Sequence, residues 1–448
     1  MSFPRYKHYK DSGVQWLGQV PTTWGIRRIR HLFEIRKRIA GGEGYDVLAI
    51  TQQGIKLKDT ASGDGQLSAD YSKYQFVQVG DFAMNHMDLL TGYVDISPIF
   101  GVTSPDYRVF AVRNREVCFD RYYLYLFQAG YRNKIFYAFG QGSSQLGRWR
   151  FPTDEFNNFD LPFPSIEEQR QIASFLDRET GNIDALVATQ EALVGLLKEK
   201  RKSVISSIVR KGLNPDAPMK NSEVEWLGQV PSHWEVRRLK HLSTVISKGT
   251  TPTTVGADFT AEGIRFLKAE NITSLGVTSE PEFFISPEAH AVLKRSALED
   301  GDVLVVIAGA TTGKSAVMRK ELLPANTNQA VSFIRLRDVH LSSYISLWLS
   351  TDLVQKLVLL SSVQSAQPNL SMTDLGNLPV ALPPDSELAK IVSVLSKEIA
   401  QFDALIKEAG EAINILQERR GALILAATTG KIDVRGLLSK EPENKAAA

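Results

Sequence analysis

"WLGQVP" occupies Trp16–Pro21 and returns, letter for letter, at Trp226–Pro231. Six identical residues could be an accident of linker sequence, but the flanks argue otherwise. Lys10–Leu32 reads KDSGVQWLGQVPTTWGIRRIRHL and Lys220–Leu242 reads KNSEVEWLGQVPSHWEVRRLKHL, with 14 of 23 positions identical. The remainder include Ile26/Val236, Ile29/Leu239 and Arg30/Lys240, so this is a duplicated unit.

A second repeat follows. LPFPSIEEQRQIASFLDRETGNIDALV (161–187) matches LPPDSELAKIVSVLSKEIAQFDALI (382–406) at an offset of 219. Pro164 falls on Pro383, Glu168 on Glu387, Ile172 on Ile391, and Asp184-Ala185-Leu186 on Asp403-Ala404-Leu405. The chain therefore reads as unit A, helix A, unit B, helix B. The expected boundaries are 1–162, 163–212, 213–382 and 383–428, with a tail over 429–448 whose end is expected to be disordered.

Helix A has a capping-box start, Ser165 with Glu168 three residues on, after a Pro-rich entry. Apolar residues then recur at three and four: Ile172, Phe175, Leu176, Ile183, Leu186, Leu193, Leu197, Val204, Ile208. Gly212 ends the run. Helix B starts near Asp385 and carries Ile391, Val394, Leu395, Phe402, Leu405, Ile406, Ile413, Leu416 and Leu423. From Ile183 onward the spacing is that of a short coiled-coil seam, and two such stripes can satisfy each other. A bend is expected near Gly181. The units read as mixed α/β. Strand-like runs cover Asp46–Thr51, Tyr74–Val79, Val109–Val112, Ile264–Lys268, Val303–Ala308 and Val331–Leu336. Helices are expected over Arg121–Ala129 and Ser342–Leu360. The interiors of the two units align in no register visible in the sequence, so the frame is duplicated and its contents have diverged.

Length alone, 448 residues, predicts two to four domains at roughly 150 residues each. With 43% hydrophobic and 23% charged residues the chain is of ordinary globular composition. Cys118, the single cysteine, forbids an internal disulfide and a multi-thiolate metal site. MSFPRYKHYK has no apolar run after its charges, so no signal peptide is expected, and no stretch is apolar enough to span a membrane. A cytoplasmic location is the expectation. Net charge is only +2, but residues 1–150 hold 20 Lys/Arg against 13 Asp/Glu. The basic runs Arg27-Arg28-Ile29-Arg30-His31 and Arg237-Arg238-Leu239-Lys240-His241 recur at the same place in both repeats.

Catalytic constellations are missing. Gly309-Ala310-Thr311-Thr312-Gly313-Lys314-Ser315 resembles a phosphate loop, but a P-loop needs four residues between the glycines and this has three. No long helix follows it. The seven histidines form no H-x-x-x-H pair, no G-x-S-x-G elbow occurs, and no Asn/Asp-Pro-Pro-aromatic loop of an amino-methyltransferase is present. What remains is a binding architecture. Loops rich in Thr, Ser, Gln and Asn with isolated cations suit base edges and phosphates. In unit A the candidates are Gln52, Gln53 and Lys56, then Gln141, Ser143, Ser144, Arg148 and Arg150. In unit B they are Lys248, Thr250, Thr251, Lys268, Asn271, Thr311, Thr312, Lys314, Gln367 and Asn369.

Taken together, the chain resembles the DNA-specificity subunit of Type I restriction–modification systems. The residues that carry the resemblance are Trp-Leu-Gly-x-Val-Pro-x-x-Trp opening each half, GDVLVVIAGATTGKS, SAQPNLS (365–371) and LPFPSIEEQRQIASFLD, and it covers about 10–436. It implies an α+β fold. Two mixed α/β target-recognition domains would be separated by two long antiparallel coiled-coil helices, as a pseudo-two-fold repeat. Each domain would read one half of an asymmetric double-stranded DNA target. The helices would set the spacing and dock two modification subunits, with Glu167, Glu168, Gln169 and Glu387 as docking candidates; restriction subunits would join. The chain itself would catalyse nothing and carry no cofactor, S-adenosylmethionine and ATP/Mg belonging to the partners. Self-association of the isolated chain is a further expectation. Alternatives are a specificity subunit serving a fused nuclease–methyltransferase, a degenerate P-loop nucleotide binder and a pure coiled-coil assembly protein.

Overall fold

Each copy of the WLGQVP segment makes the same small hairpin. Tyr9–Asp11 pairs antiparallel with Gln19–Pro21, and Met219–Asn221 with Gln229–Pro231. The turn chemistry is duplicated too: Asp11 Oδ1 accepts from the Gly13 amide and Asn221 Oδ1 from the Glu223 amide, each at 2.9 Å. The second tryptophan of each motif, Trp24 or Trp234, is fully buried. The next strand, Gly25–Arg28 or Glu235–Arg238, pairs with the strand that closes its unit, Asp160–Phe163 or Pro379–Leu382. Each closing strand feeds a long helix. The frame is thus pinned at both ends by one short sheet.

The computed structural model describes residues 3–59, 68, 70–142, 149–273, 276–362 and 370–437. It divides into two units, Met1–Glu191 with Gly410–Ala448, and Ala192–Ala409. The helices therefore form no bodies of their own; each gives one half to either unit. Residues 429–437 belong to the fold of unit 1: Lys431 Nζ donates to Leu17 O and Gln19 O at 3.0 and 2.6 Å, and Val434 is buried. The end of the expected disordered tail, from 438, lies outside the described residues.

In unit 1 the central sheet is built of β1 (Phe33–Ile35), β2 (Phe82–Met84), β3 (Val94–Ile96) and β4 (Arg108–Val112), in the order β1-β4-β2-β3, all antiparallel. Helix α1 (Asp120–Arg132) follows β4, and α2 (Ile166–Lys211) is the first long helix. Unit 2 has β5 (Ser243–Lys248), β6 (Val303–Val306), β7 (Ser315–Val317) and β8 (Val331–Leu336) in the order β5-β8-β6-β7, again antiparallel. Helix α3 (Ser342–Leu349) follows β8, and α4 (Asp385–Thr428) is the second long helix.

The interiors, unalignable by sequence inspection, share this topology and its buried polar contacts. Gly80-Asp81 and Gly301-Asp302 make the same turn, with φ of 87° and 79° at glycines that no other residue replaces without strain. Both aspartates are buried and accept an amide three residues back: Gln78 N to Asp81 Oδ2 at 2.9 Å, Glu299 N to Asp302 Oδ2 at 2.8 Å. Arginines neutralise them: Arg36 and Arg38 hold Asp81, and Arg335 grips Asp302 at 2.8 and 3.0 Å. Buried Thr103 donates to Leu48 O at 3.1 Å and buried Thr327 to Leu267 O at 2.9 Å, each across a parallel pairing.

The long helices obey the same symmetry inside each unit. In unit 1, Arg420 Nε donates to Asp184 at 2.8 Å; in unit 2, Arg201 Nε lies 3.0 Å from Asp403. Asp184 and Asp403, and Arg201 and Arg420, each stand 219 positions apart, so the two ion pairs are images of one another. Tyr122 OH donates to Thr428 O at 2.8 Å and Tyr344 OH to Val209 O at 3.0 Å, and Val209 and Thr428 carry the same offset. The two pairings run antiparallel. Ile172, Phe175, Leu176 and Ile183 share the unit 1 core with Leu423, Ile424 and Ala427; Ile205 and Val209 share that of unit 2 with Leu388, Ile391 and Leu395.

Helix α2 is continuous through Gly181 for 46 residues. Two expectations are corrected. The helix expected over Ser342–Leu360 stops at Leu349 and restarts at Asp352. Thr351, between the two, is buried and turns its hydroxyl onto Trp348 O, an alternative to the helical amide ladder. Leu186 and Leu405, read as seam residues, are 52% and 48% exposed. The stripe that faces the partner helix is therefore narrower than the apolar periodicity implied.

Candidate nucleic-acid interface

Unit 1 presents two of its candidates on a tight hairpin. Leu48–Thr51 and Gly54–Leu57 pair antiparallel, which leaves Gln52 and Gln53 exposed at the tip. Lys56 Nζ donates to Gln53 Oε1 at 2.7 Å, and Gln52 Nε2 reaches Thr91 O at 3.4 Å. The tip borders a polar cleft of about 870 Å³, lined also by Arg121, Gln128, Arg132 and Arg420. Arg121 is half neutralised there by Asp177, at 2.8 Å, which also accepts from Tyr125 OH at 2.7 Å. Gln141 and Arg150 form an antiparallel bridge with exposed side chains. Ser143, Ser144 and Arg148, between them, lie outside the described residues.

In unit 2 the glycine- and threonine-rich segment is a hairpin turn between β6 and β7. Gly313 N donates to Val306 O and Val306 N to Lys314 O, both at 2.8 Å. A strand follows the lysine, where a phosphate loop requires a helix. Thr312 Oγ1 is spent on Gly309 O at 2.7 Å, Thr311 is half-buried, and Lys314 is exposed. Lys314 borders a cleft of about 900 Å³ with Ser343, Ser346, Gln355 and Arg201. Lys248 is exposed at the end of β5; Thr250 and Thr251 beyond it are half-buried. Lys268 Nζ sits 3.3 Å from the Phe283 ring centroid and 4.7 Å from that of Phe259, a cation–π clasp that engages its charge. Gln367 and Asn369 lie outside the described residues.

Three candidates are corrected by burial. Asn271 is 1% exposed, and its amide donates to Thr278 O and Pro281 O at 3.2 and 2.9 Å. It shapes a turn and presents nothing to a ligand. Gln169 is wholly buried, bonded to Phe119 N, Val117 O and Pro164 O at 2.7 to 3.0 Å. Glu168 is buried under Tyr6, whose hydroxyl donates to it at 2.7 Å. Both join helix α2 to its own unit and offer no docking surface. Glu387 accepts from Trp234 Nε1 at 2.9 Å and pairs with His233 at 2.8 Å; Glu167 is exposed.

The sequence reading missed the turn 85–93 between β2 and β3. It is the unit 1 counterpart of Gly309–Lys314, with Thr91-Gly92-Tyr93 standing where unit 2 has Thr312-Gly313-Lys314. That dipeptide was the available signal. A Cβ on Gly92 would lie 2.1 Å from Asp88 O, so the turn admits no side chain there. Burial and the nearby cations Arg108 and Arg150 push His86, within this turn, down to about 3, and burial lowers Arg108 to about 10. Burial also pushes the Cys118 thiol up to about 11, which leaves it an inert core residue.

The type I restriction-modification DNA specificity domain model matches residues 21–193 and 231–414, one match for each repeat. The chain belongs to the type I restriction-modification DNA specificity family. This specificity chain is 25% identical over 279 residues to the EcoBI specificity subunit of Escherichia coli, an alignment covering 61% of this chain and 58% of that one. It is 20% identical over 453 residues to the putative MjaX specificity subunit of Methanocaldococcus jannaschii, covering 97% and 99%. The chain spans less than two thirds of the EcoBI subunit and of the MjaVIII subunit, at 58% and 64% of their lengths. A solved chain from work on assembly and conformational transition of the type I R-M system shares the fold, with a TM-score of 0.66 at 17% identity over 91% of this chain and 98% of that one. No group of three or more potential metal ligands and no membrane-spanning helix occurs among the described residues.

Proposed function

We propose that this chain reads an asymmetric, bipartite double-stranded DNA target, one half per unit, and lends that selectivity to modification subunits that carry S-adenosylmethionine. The observation that carries the reading is the contrast between frame and loops. Helix contacts, ion pairs and the buried Gly-Asp turn are held twice, whereas the matching turns 85–93 and 306–314 share only their Thr-Gly pair and set Tyr93 where the other has Lys314. A frame held twice suits two copies of one partner. Tips that differ suit two unlike half-sites, because bases are read by side chains and phosphates by charge. On this reading the chain catalyses nothing and holds no cofactor. Restriction subunits supply ATP-driven translocation and cleavage.

The exposed apolar residues of the helices give the partners a seat. Leu186 and Ile415 stand out on the helix pair of unit 1; Leu405 and Leu196, each 219 positions from one of them, stand out on that of unit 2. Leu186→Asp is expected to leave one modification subunit per chain, and Leu186→Asp with Leu405→Asp none, by mass measurement of the purified complex. Retention of both copies by the double variant contradicts this seat.

The function is tested by mixing the full chain and its modification subunits with random-sequence duplexes and sequencing what is retained. Two unlike motifs at fixed spacing are expected. One motif, two identical motifs or no enrichment contradicts the reading. Lys314→Ala is expected to weaken that binding and to leave the purified chain without ATP turnover, as is the parent. ATP hydrolysis by the parent chain would restore the nucleotide-binding alternative.

A further inference from the structure

The basic runs of the two repeats have no part in the candidate tips, yet both keep their charges where neighbouring residues have changed. Burial explains how they are displayed. Ile29 and Leu32, and in the second copy Leu239 and Leu242, point into the cores. The one-turn helices Ile29–Leu32 and Leu239–Leu242 therefore turn Arg30 and Lys240 outward, with Arg28 and Arg238 exposed just before them. One more arginine joins each cluster. Arg113 Nε donates to Arg30 O and Phe33 O at 3.0 and 2.9 Å, and its amide to Leu32 O at 2.9 Å. In unit 2 the Arg337 amide donates to Leu242 O at 2.8 Å, which brings an exposed arginine to the same place.

A short helix packs on each of these surfaces. The helix Thr153–Asn158, which follows the Gln141–Arg150 bridge, packs on Ile29–Leu32. Its counterpart Met372–Asn377 packs on Leu239–Leu242, where Gly376 lies against the Lys240 stem. Counter-charges are weak. Arg28 stands 4.0 Å from Asp160 with both groups in solvent, which contributes little. Arg238 Nη1 donates to the neutral Asn377 Oδ1 at 3.5 Å, and Glu235 is taken by Arg237 at 2.7 Å.

We propose that Arg28, Arg30 and Arg113 in unit 1, and Arg238, Lys240 and Arg337 in unit 2, form two equivalent anchors for the phosphate backbone of duplex DNA. The proposal rests on the DNA-reading function above and adds a second class of contact. Two half-sites that differ in bases share only their backbone. Cations held in common by both repeats therefore match what the half-sites share. Phosphate contacts fix register and orientation without carrying sequence information.

The test uses the full chain with its modification subunits, random-sequence duplexes and a salt series. Each lost phosphate contact lowers the slope of log affinity against log salt by about 0.9. Arg28→Gln with Arg30→Gln, or Arg238→Gln with Lys240→Gln, is expected to weaken binding to all duplexes and flatten that slope by up to about 1.8. The motifs recovered by sequencing should stay unchanged, and Arg30→Lys should keep the parental slope. An unchanged slope in both double variants overturns the anchors. So does an altered motif, which would make these residues base readers. So does parental DNA binding with loss of the modification subunits, which would make the surface a protein interface. If the parent chain recovers no motif, the DNA-reading function itself falls, an outcome separate from a parent that selects a target and variants that bind like it.

Discussion

At the scale of single residues, the fold is held by buried polar groups bonded to buried backbone carbonyls. Tyr122 and Tyr344 are fully buried, and each bonds the last turns of a long helix; Tyr344 shares its one hydroxyl proton between Val209 O at 3.0 Å and Ala381 O at 2.5 Å. Tyr122→Phe or Tyr344→Phe strands a buried carbonyl, which costs about 1–3 kcal/mol. A lower denaturant midpoint with unchanged slope is the expected result, and parental midpoints for both would show the bonds to be unimportant. His86 supplies an acid-sensitive term. Its folded value, about 3, lies below the ordinary 6.5, so the folded state binds fewer protons between them. Its contribution is complete above the ordinary value and is lost as pH falls through that window. The stability difference between about pH 7 and about pH 5 is therefore expected to shrink in His86→Leu. An identical acid dependence would mean that His86 is protonated without cost.

At the scale of elements, length and register of the long helices are the controlled quantities. The pairs Asp184–Arg420 and Arg201–Asp403 tie the helices in each unit at levels set by one antiparallel register. Seven residues add about 10.5 Å to a helix, close to three base-pair rises. Inserting a heptad into both α2 and α4 at the same level should therefore widen the spacing of the two motifs by about three base pairs and leave their bases alone. A heptad in one helix alone should break an ion pair and lower stability. Spacing that ignores the paired insertion would separate the helices from the measuring role. Much at this scale was legible in sequence: caps, stripes and the Pro-rich entries placed both helices to within a few residues. The stripe width was not legible, because Leu186 and Leu405 satisfy the period and still face solvent. Periodicity reports that a residue can be buried, and the partner decides whether it is.

At the scale of the whole molecule, the sequence shows a duplicated frame and the structure extends the duplication into the interiors. Asp81 and Asp302, Thr103 and Thr327, and the Thr-Gly turns at 91–92 and 312–313 were present in the text throughout. They are hard to align because the offset drifts from 210 at the opening motif to 221 at Asp81 and the Thr-Gly turn and to 224 at Thr103, and because the apolar residues around them were exchanged freely at constant topology. The candidate tips were legible as polar loops with cations. Asn271, Glu168 and Gln169 were misread, since a polar residue that completes a buried turn looks the same in sequence as one that awaits a ligand. The central claim is that two independent readers share one frame. The most direct measurement replaces residues 1–160 with the matching segment of another family member of known target and maps the methylated sites. Exchange of one half of the target, with the other half and the spacing retained, is the predicted result. A change in both halves, or in neither, would contradict the account.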